Sequence, residues 1–107
     1  MRTTLPPRRH NRTGRLDWRG QPYTLTCGYG RDGGIAEIFL DAPRIGSDVA
    51  ALVRDAAILA SFALQYGAPL DRLVAAMMKD GEDRPASVIG LALALALAES
   101  TAPVTIS

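Results

Sequence analysis

Apolar and polar positions alternate between Tyr23 and Tyr29. Tyr23, Leu25, Cys27 and Tyr29 share one face, and Thr24, Thr26 and Gly28 share the other. A period of two predicts a strand with one buried side. Leu16 and Trp18 show the same alternation over Arg15 to Arg19, a shorter strand, with Gly20-Gln21 turning the chain between the two. Arg31-Asp32-Gly33-Gly34 is a hairpin signal, because Asp-Gly and Gly-Gly accept positive φ. Ile35 to Leu40 follows as a third strand. These elements predict a three-stranded antiparallel meander.

The period then changes. Ser47 is a good N-cap, and Asp48 in the first turn suits the helix dipole. A helix is predicted over Val49 to Tyr66, with Leu52, Ala56, Leu59, Ala63 and Tyr66 as its buried stripe. Gly67 stops it. Pro69 suits the first position of a second helix reaching Lys79, which buries Leu70, Leu73, Val74 and Met77. Asp80 to Pro85 is a polar loop. From Val88 the chain reads VIGLALALALAES. Leu and Ala alternate there as in a strand, yet both are strong helix formers and weak strand formers, so a helix starting at Ser87, or at Ala86 beside it, is predicted. Leu91, Leu93, Leu95 and Leu97 then point around that helix and leave it no solvent face. The fold class is α+β: a three-stranded antiparallel β-meander packed on two to three α-helices.

Between Val49 and Tyr66 the only charges are Arg54 and Asp55, and Val88 to Ala98 has none. A helix apolar on all sides is covered on all sides. The sheet covers one side, so the C-terminal helix or a second subunit is expected over the rest, and a homodimer would use Arg54, Asp55, Leu93 and Leu95 as interface residues. Arg54 and Asp55 have two readings: rim residues facing opposite ways, or an ionic contact across a dimer.

Length and charge add boundaries. The 107 residues suit one domain: a basic arm at 1–14, a body at 15–100 and a frayed tail at 101–107. Net charge is only +1, but residues 1–20 hold six Arg against Asp17, while residues 21–107 hold six basic and ten acidic residues. Arg8, Arg9, Arg12 and Arg15 are candidate polyanion-binding residues that would neutralise phosphates on a nucleotide or nucleic acid. The plainer reading is a solvated tail or a tether to an acidic partner. The longest apolar run, Val88 to Ala98, is too short for a bilayer, and no signal-peptide pattern opens the chain, so a soluble, cytoplasmic protein is expected.

Cys27 is the only cysteine and His10 the only histidine. A disulfide within the chain, a cysteine zinc site, a Ser-His-Asp triad and a Cys-His dyad are all implausible. Cys27 reads as a small buried hydrophobe. Glu37 reads as an outward residue on the open sheet face. Asp80-Gly81-Glu82-Asp83 lacks calcium-loop spacing and reads as a solvated turn. Gly28, Gly30 and Gly33 spell G-x-G-x-x-G, but they lead into a hairpin, where the phosphate-cradling helix start is missing. No cofactor, metal or catalytic residue is assigned.

Ala36-Glu37-Ile38-Phe39-Leu40, then Gly46-Ser47-Asp48, then the apolar helix and Tyr66-Gly67-Ala68-Pro69-Leu70 resemble the TSCPD domain family. The resemblance spans about residues 8–98 and is strongest over 36–80. Leu5-Pro6-Pro7-Arg8-Arg9 is similar to the basic lead-in of such domains. The pentapeptide that names the family is absent. The resemblance implies an association with adenosylcobalamin-dependent (class II) ribonucleotide reductases and deoxyribonucleotide synthesis. Those enzymes need several cysteines and a barrel, neither of which fits this chain. It therefore implies a non-catalytic, reductase-associated binding or regulatory module with a reductase catalytic chain as partner, and the apolar helices add the expectation of a homodimer. The alternative is a small nucleic-acid-binding protein using the Arg-rich arm.

Overall fold

The computed structural model describes residues 10–43 and 47–101. Three strands, β1 (His10–Trp18), β2 (Gln21–Tyr29) and β3 (Ile35–Asp41), form an antiparallel sheet in the order β1-β2-β3. Three helices follow: α1 (Asp48–Gln65), α2 (Leu70–Ala76) and α3 (Val88–Thr101). The α+β meander expected from the sequence is the fold.

β1 begins at His10, not Arg15. Residues His10 to Gly14, read as part of the arm, pair with Tyr29 to Leu25 across the sheet. Their side chains carry no apolar alternation, so the pairing is dictated by the β2 partner. The first turn is also one residue earlier than expected. Trp18 pairs with Gln21, and the loop between them, Arg19-Gly20, has φ of 49° and 82°. A two-residue loop with positive φ at both positions matches the twist of the strands it joins. The second hairpin closes where expected. Asp32 Oδ1 accepts the Gly34 N–H at 2.9 Å, and Gly33 sits at φ 84°.

One sheet face carries Leu16, Tyr23, Cys27, Ile38 and Leu40, and Val88, Ala92, Leu93 and Ala96 of α3 pack over it. α1 lies along the outer edge of β3. Its N-cap is Ser47, whose hydroxyl accepts the Ala50 N–H at 3.0 Å. The side that α1 buries is not the predicted one. Val53, Ala57, Ala60, Ser61, Leu64 and Gln65 face inward. Leu52 and Leu59 are 69% and 70% exposed, and Tyr66, just past the helix, is exposed as well. The physical reason is proximity. Ala57 and Ala60 let the helix approach a strand edge, and Ser61 and Gln65 bond to that edge.

α2 is shorter than expected, and Pro69 is its N-cap, one position before the first helical residue. Leu70, Leu73, Val74 and Met77 are half-buried against the core. Lys79 Nζ donates to the carbonyls of Val74 at 2.8 Å and Met77 at 3.0 Å, closing the end of α2. Asp80 then organises the loop by accepting the N–H groups of Glu82 at 2.8 Å and Arg84 at 3.0 Å. These backbone bonds, with Arg84 beside it, hold its carboxyl below the usual value. α3 starts as expected, with Ser87 Oγ accepting the Gly90 N–H at 3.1 Å. The expected tail lies outside the described residues beyond Thr101.

Candidate functional site

Two features of the surface stand out from the packing: the outer side of α1 and a groove between β1 and α3. Ser61 and Gln65 explain why α1 can leave one side open. The Ser61 hydroxyl accepts the Ile38 N–H at 2.8 Å and shares its proton between the carbonyls of Ile38 at 3.0 Å and Ala57 at 2.9 Å. Gln65 Nε2 donates to the Ala36 carbonyl at 3.1 Å. Edge strands otherwise present unpaired backbone groups. Here a helix takes the place of the next strand. Sequence reasoning missed both residues. The available signal was their i, i+4 spacing as the only uncharged polar side chains of an otherwise apolar helix.

With its inner side held this way, α1 turns Val49, Leu52, Ile58, Leu59 and Phe62 outward, and Tyr66 lies at its C-terminal end. Phe39 of β3 is also exposed and lines a recess with Thr26, Arg54, Ala57 and Ile58. Together these residues form an apolar strip along one flank of the molecule.

The candidate interface residues divide. Arg54 is exposed, and its Nη2 lies 2.9 Å from Asp41 Oδ1 of the same chain. Asp55 is exposed on the outer side of α1, among the apolar residues. Leu95 is 43% exposed. Leu93, at 1%, packs wholly inside the chain and has no surface to give a partner. The reason is the phase of α3: Leu93 falls beside Ala92 and Ala96, which face the sheet, and Leu95 falls on the opposite side.

Two of the candidate polyanion residues, Arg12 and Arg15, are among the described residues. Arg8 and Arg9 lie outside the described residues. Arg12 Nη2 lies 2.6 Å from Glu99 Oε1, and Arg15 Nε lies 2.8 Å from Asp17 Oδ1. Each of these guanidinium groups thus faces a carboxylate of its own chain. Such exposed pairs contribute about 0–1 kcal/mol.

The groove between β1 and α3, about 470 Å³, is lined by Arg12, Gly14, Leu16, Cys27, Leu95 and Glu99. Cys27 at its floor is 3% exposed. Burial pushes its thiol up, Glu99 adds to this, and Arg12 opposes it. The thiolate needed for exchange or metal binding is therefore disfavoured. Glu37 also departs from expectation. It is on the open sheet face but only 9% exposed, because its side chain lies over Gly28. A Cβ at Gly28 would stand 3.0 Å from Asn11 Oδ1 and 3.1 Å from Glu37 Oε2. The glycine belongs to close packing, not to a phosphate loop. Among the described residues, no three His, Cys, Asp or Glu side chains gather as a metal site, and no helix is long and apolar enough to cross a membrane.

A family model described as the TSCPD domain matches residues 1–100. The chain belongs to that family. Two curated relatives are vitamin B12-dependent ribonucleotide reductases. The one from Agrobacterium fabrum is 39% identical over 75 residues, which is 70% of this chain and 6% of the relative. The one from Bradyrhizobium diazoefficiens is 36% identical over 73 residues, 68% of this chain and 6% of the relative. This TSCPD chain thus spans a small fraction of the reductases it matches. No solved structure matches it.

Proposed function

We propose that this TSCPD chain is a non-catalytic binding or regulatory module of ribonucleotide reduction, working in the cytoplasm as a homodimer beside a separate reductase chain. The observation that carries the reading is the family match over nearly the whole chain, joined to a similarity with reductases that occupies only 6% of their length. A segment so small relative to the enzyme serves it as an attached part. Cycling between a dithiol and an internal disulfide needs two thiols, and this chain has one. The open apolar strip on α1 supports the self-association in this reading, since contiguous exposed apolar surface marks interaction sites.

The test mixes the purified chain with a B12-dependent reductase from which the matching segment has been removed. Complex formation by co-elution is expected, together with a change in deoxynucleotide turnover. The chain alone, given ribonucleotides, adenosylcobalamin and a dithiol, is expected to produce no deoxynucleotide. Turnover by the chain alone, or no complex and no effect on the truncated enzyme, would overturn the reading.

A further inference from the structure

We infer that two copies of this chain pair antiparallel through the outer side of α1, which gives the proposed self-association a specific surface. The inference rests on the homodimer reading and moves its contact away from α3. Asp48, Leu52, Asp55, Leu59, Phe62 and Tyr66 are spaced by four, three, four, three and four residues. That is a heptad seam. All six are exposed in the single chain. Beside the seam lie Val49, Ala56 and Ala63, small enough to let a second helix come close.

The spacing is self-complementary. An antiparallel copy whose two-fold axis is level with the Asp55–Leu59 turn sets Leu52 against Phe62 of the partner subunit. The same operation sets Tyr66 against Asp48 of the partner subunit, so the phenol O–H donates to a carboxylate at each end of the contact. Asp55 then meets Leu59 of the partner subunit. Asp55 of each copy is then the polar position within the apolar stretch of the seam, and a buried polar position fixes register at a cost in stability.

The area also suits a second copy. Phe39, Phe62 and Tyr66 keep 45%, 46% and 61% of their surface open, which leaves roughly 70–150 Å² each to bury. Adding Val49, Leu52, Ile58, Leu59 and the alanines brings the strip near the roughly 800 Å² per partner of a standard interface. An 18-residue helix is about 27 Å long, enough for about two and a half turns of contact on either side of the axis.

The experiment is sedimentation of the full chain at micromolar concentration, with three variants. The wild type is expected at twice the 11.4 kDa chain mass. Leu59→Glu is expected at the monomer mass with an unchanged circular dichroism spectrum, because Leu59 makes little contact within the chain. Asp55→Leu is expected to tighten association roughly tenfold or more, since it removes a charge from the seam. Leu52→Cys with Phe62→Cys is expected to cross-link under mild oxidation. Leu52→Cys alone is not, since its copies would be about 15 Å apart along the axis. A wild-type monomer, a dimer that survives Leu59→Glu, or efficient cross-linking by Leu52→Cys alone would each overturn the inference. Reductase capture is read in its own experiment, so failure here leaves the reductase reading standing.

Discussion

Ser61 on α1 engages both backbone groups of Ile38 on β3, accepting its N–H at 2.8 Å and donating toward its carbonyl at 3.0 Å. A side chain thereby does what a neighbouring strand would do. Ser61→Ala leaves both groups buried without this partner. Each unmatched buried group costs about 1–3 kcal/mol. For the two groups together, urea denaturation should show a loss of about 2–6 kcal/mol, with an increased tendency to aggregate because a strand edge becomes available. Unchanged stability would mean that water replaces the hydroxyl freely.

Leu93 and Leu95 are two residues apart and should respond very differently. Leu93 is fully buried, so Leu93→Ala opens a cavity and should cost about 2–5 kcal/mol. Leu95 lines the open groove, and Leu95→Ala should cost about 1 kcal/mol or less. Paired urea melts decide the order. Equal losses would place both leucines in the core.

Cys27 gives stability a pH dependence of defined sign. Its thiol is raised above an ordinary value of 9.0, by burial first and by Glu99 second, against Arg12. The unfolded chain therefore ionises before the folded one. Stability should be complete below about pH 9 and fall as pH rises toward the folded value. Tyr29, raised from 10.0 mainly by burial, adds a second loss at higher pH. Cys27→Ala should remove the first decline and leave the second. Iodoacetamide should modify the wild-type thiol rapidly only in denaturant. Fast reaction of the native protein would show the thiol to be accessible.

Deleting residues 1–14 should destabilise the body as well as remove Arg8, Arg9 and Arg12. The deletion takes the pairs from His10↔Tyr29 to Gly14↔Leu25 and uncovers the edge of β2. A lower melting temperature by circular dichroism is expected. A truncated chain that melts like the full one would show that this half of β1 contributes nothing.

Local signals in the sequence located most of the elements. The Tyr23–Tyr29 alternation, the Asp32-Gly33-Gly34 hairpin, the Ser47 and Ser87 helix starts and the Gly67 stop each act through neighbours a few residues away, and each is where the chain predicted it. The family motifs are local in the same sense. What those signals left open was phase. α1 is apolar around its circumference, with Leu52, Leu59 and Phe62 on one side and Val53, Ala57 and Leu64 on the other, so hydrophobic periodicity alone favours neither. Volume and hydrogen bonding made the choice. Only the side with Ala57, Ala60, Ser61 and Gln65 approaches β3 closely enough to satisfy its edge. α3 carries the same ambiguity, and the sheet resolved it by taking Ala92, Leu93 and Ala96 and leaving Leu95 in the groove. β1 was extended by its partner strand where its own residues gave no pattern. Apart from the first half of β1, the sequence by itself determined which segments are strand and helix, because those depend on contacts within a few residues. Only the tertiary structure decided which apolar side is core and which is left as surface, because that depends on which residues lie across the gap.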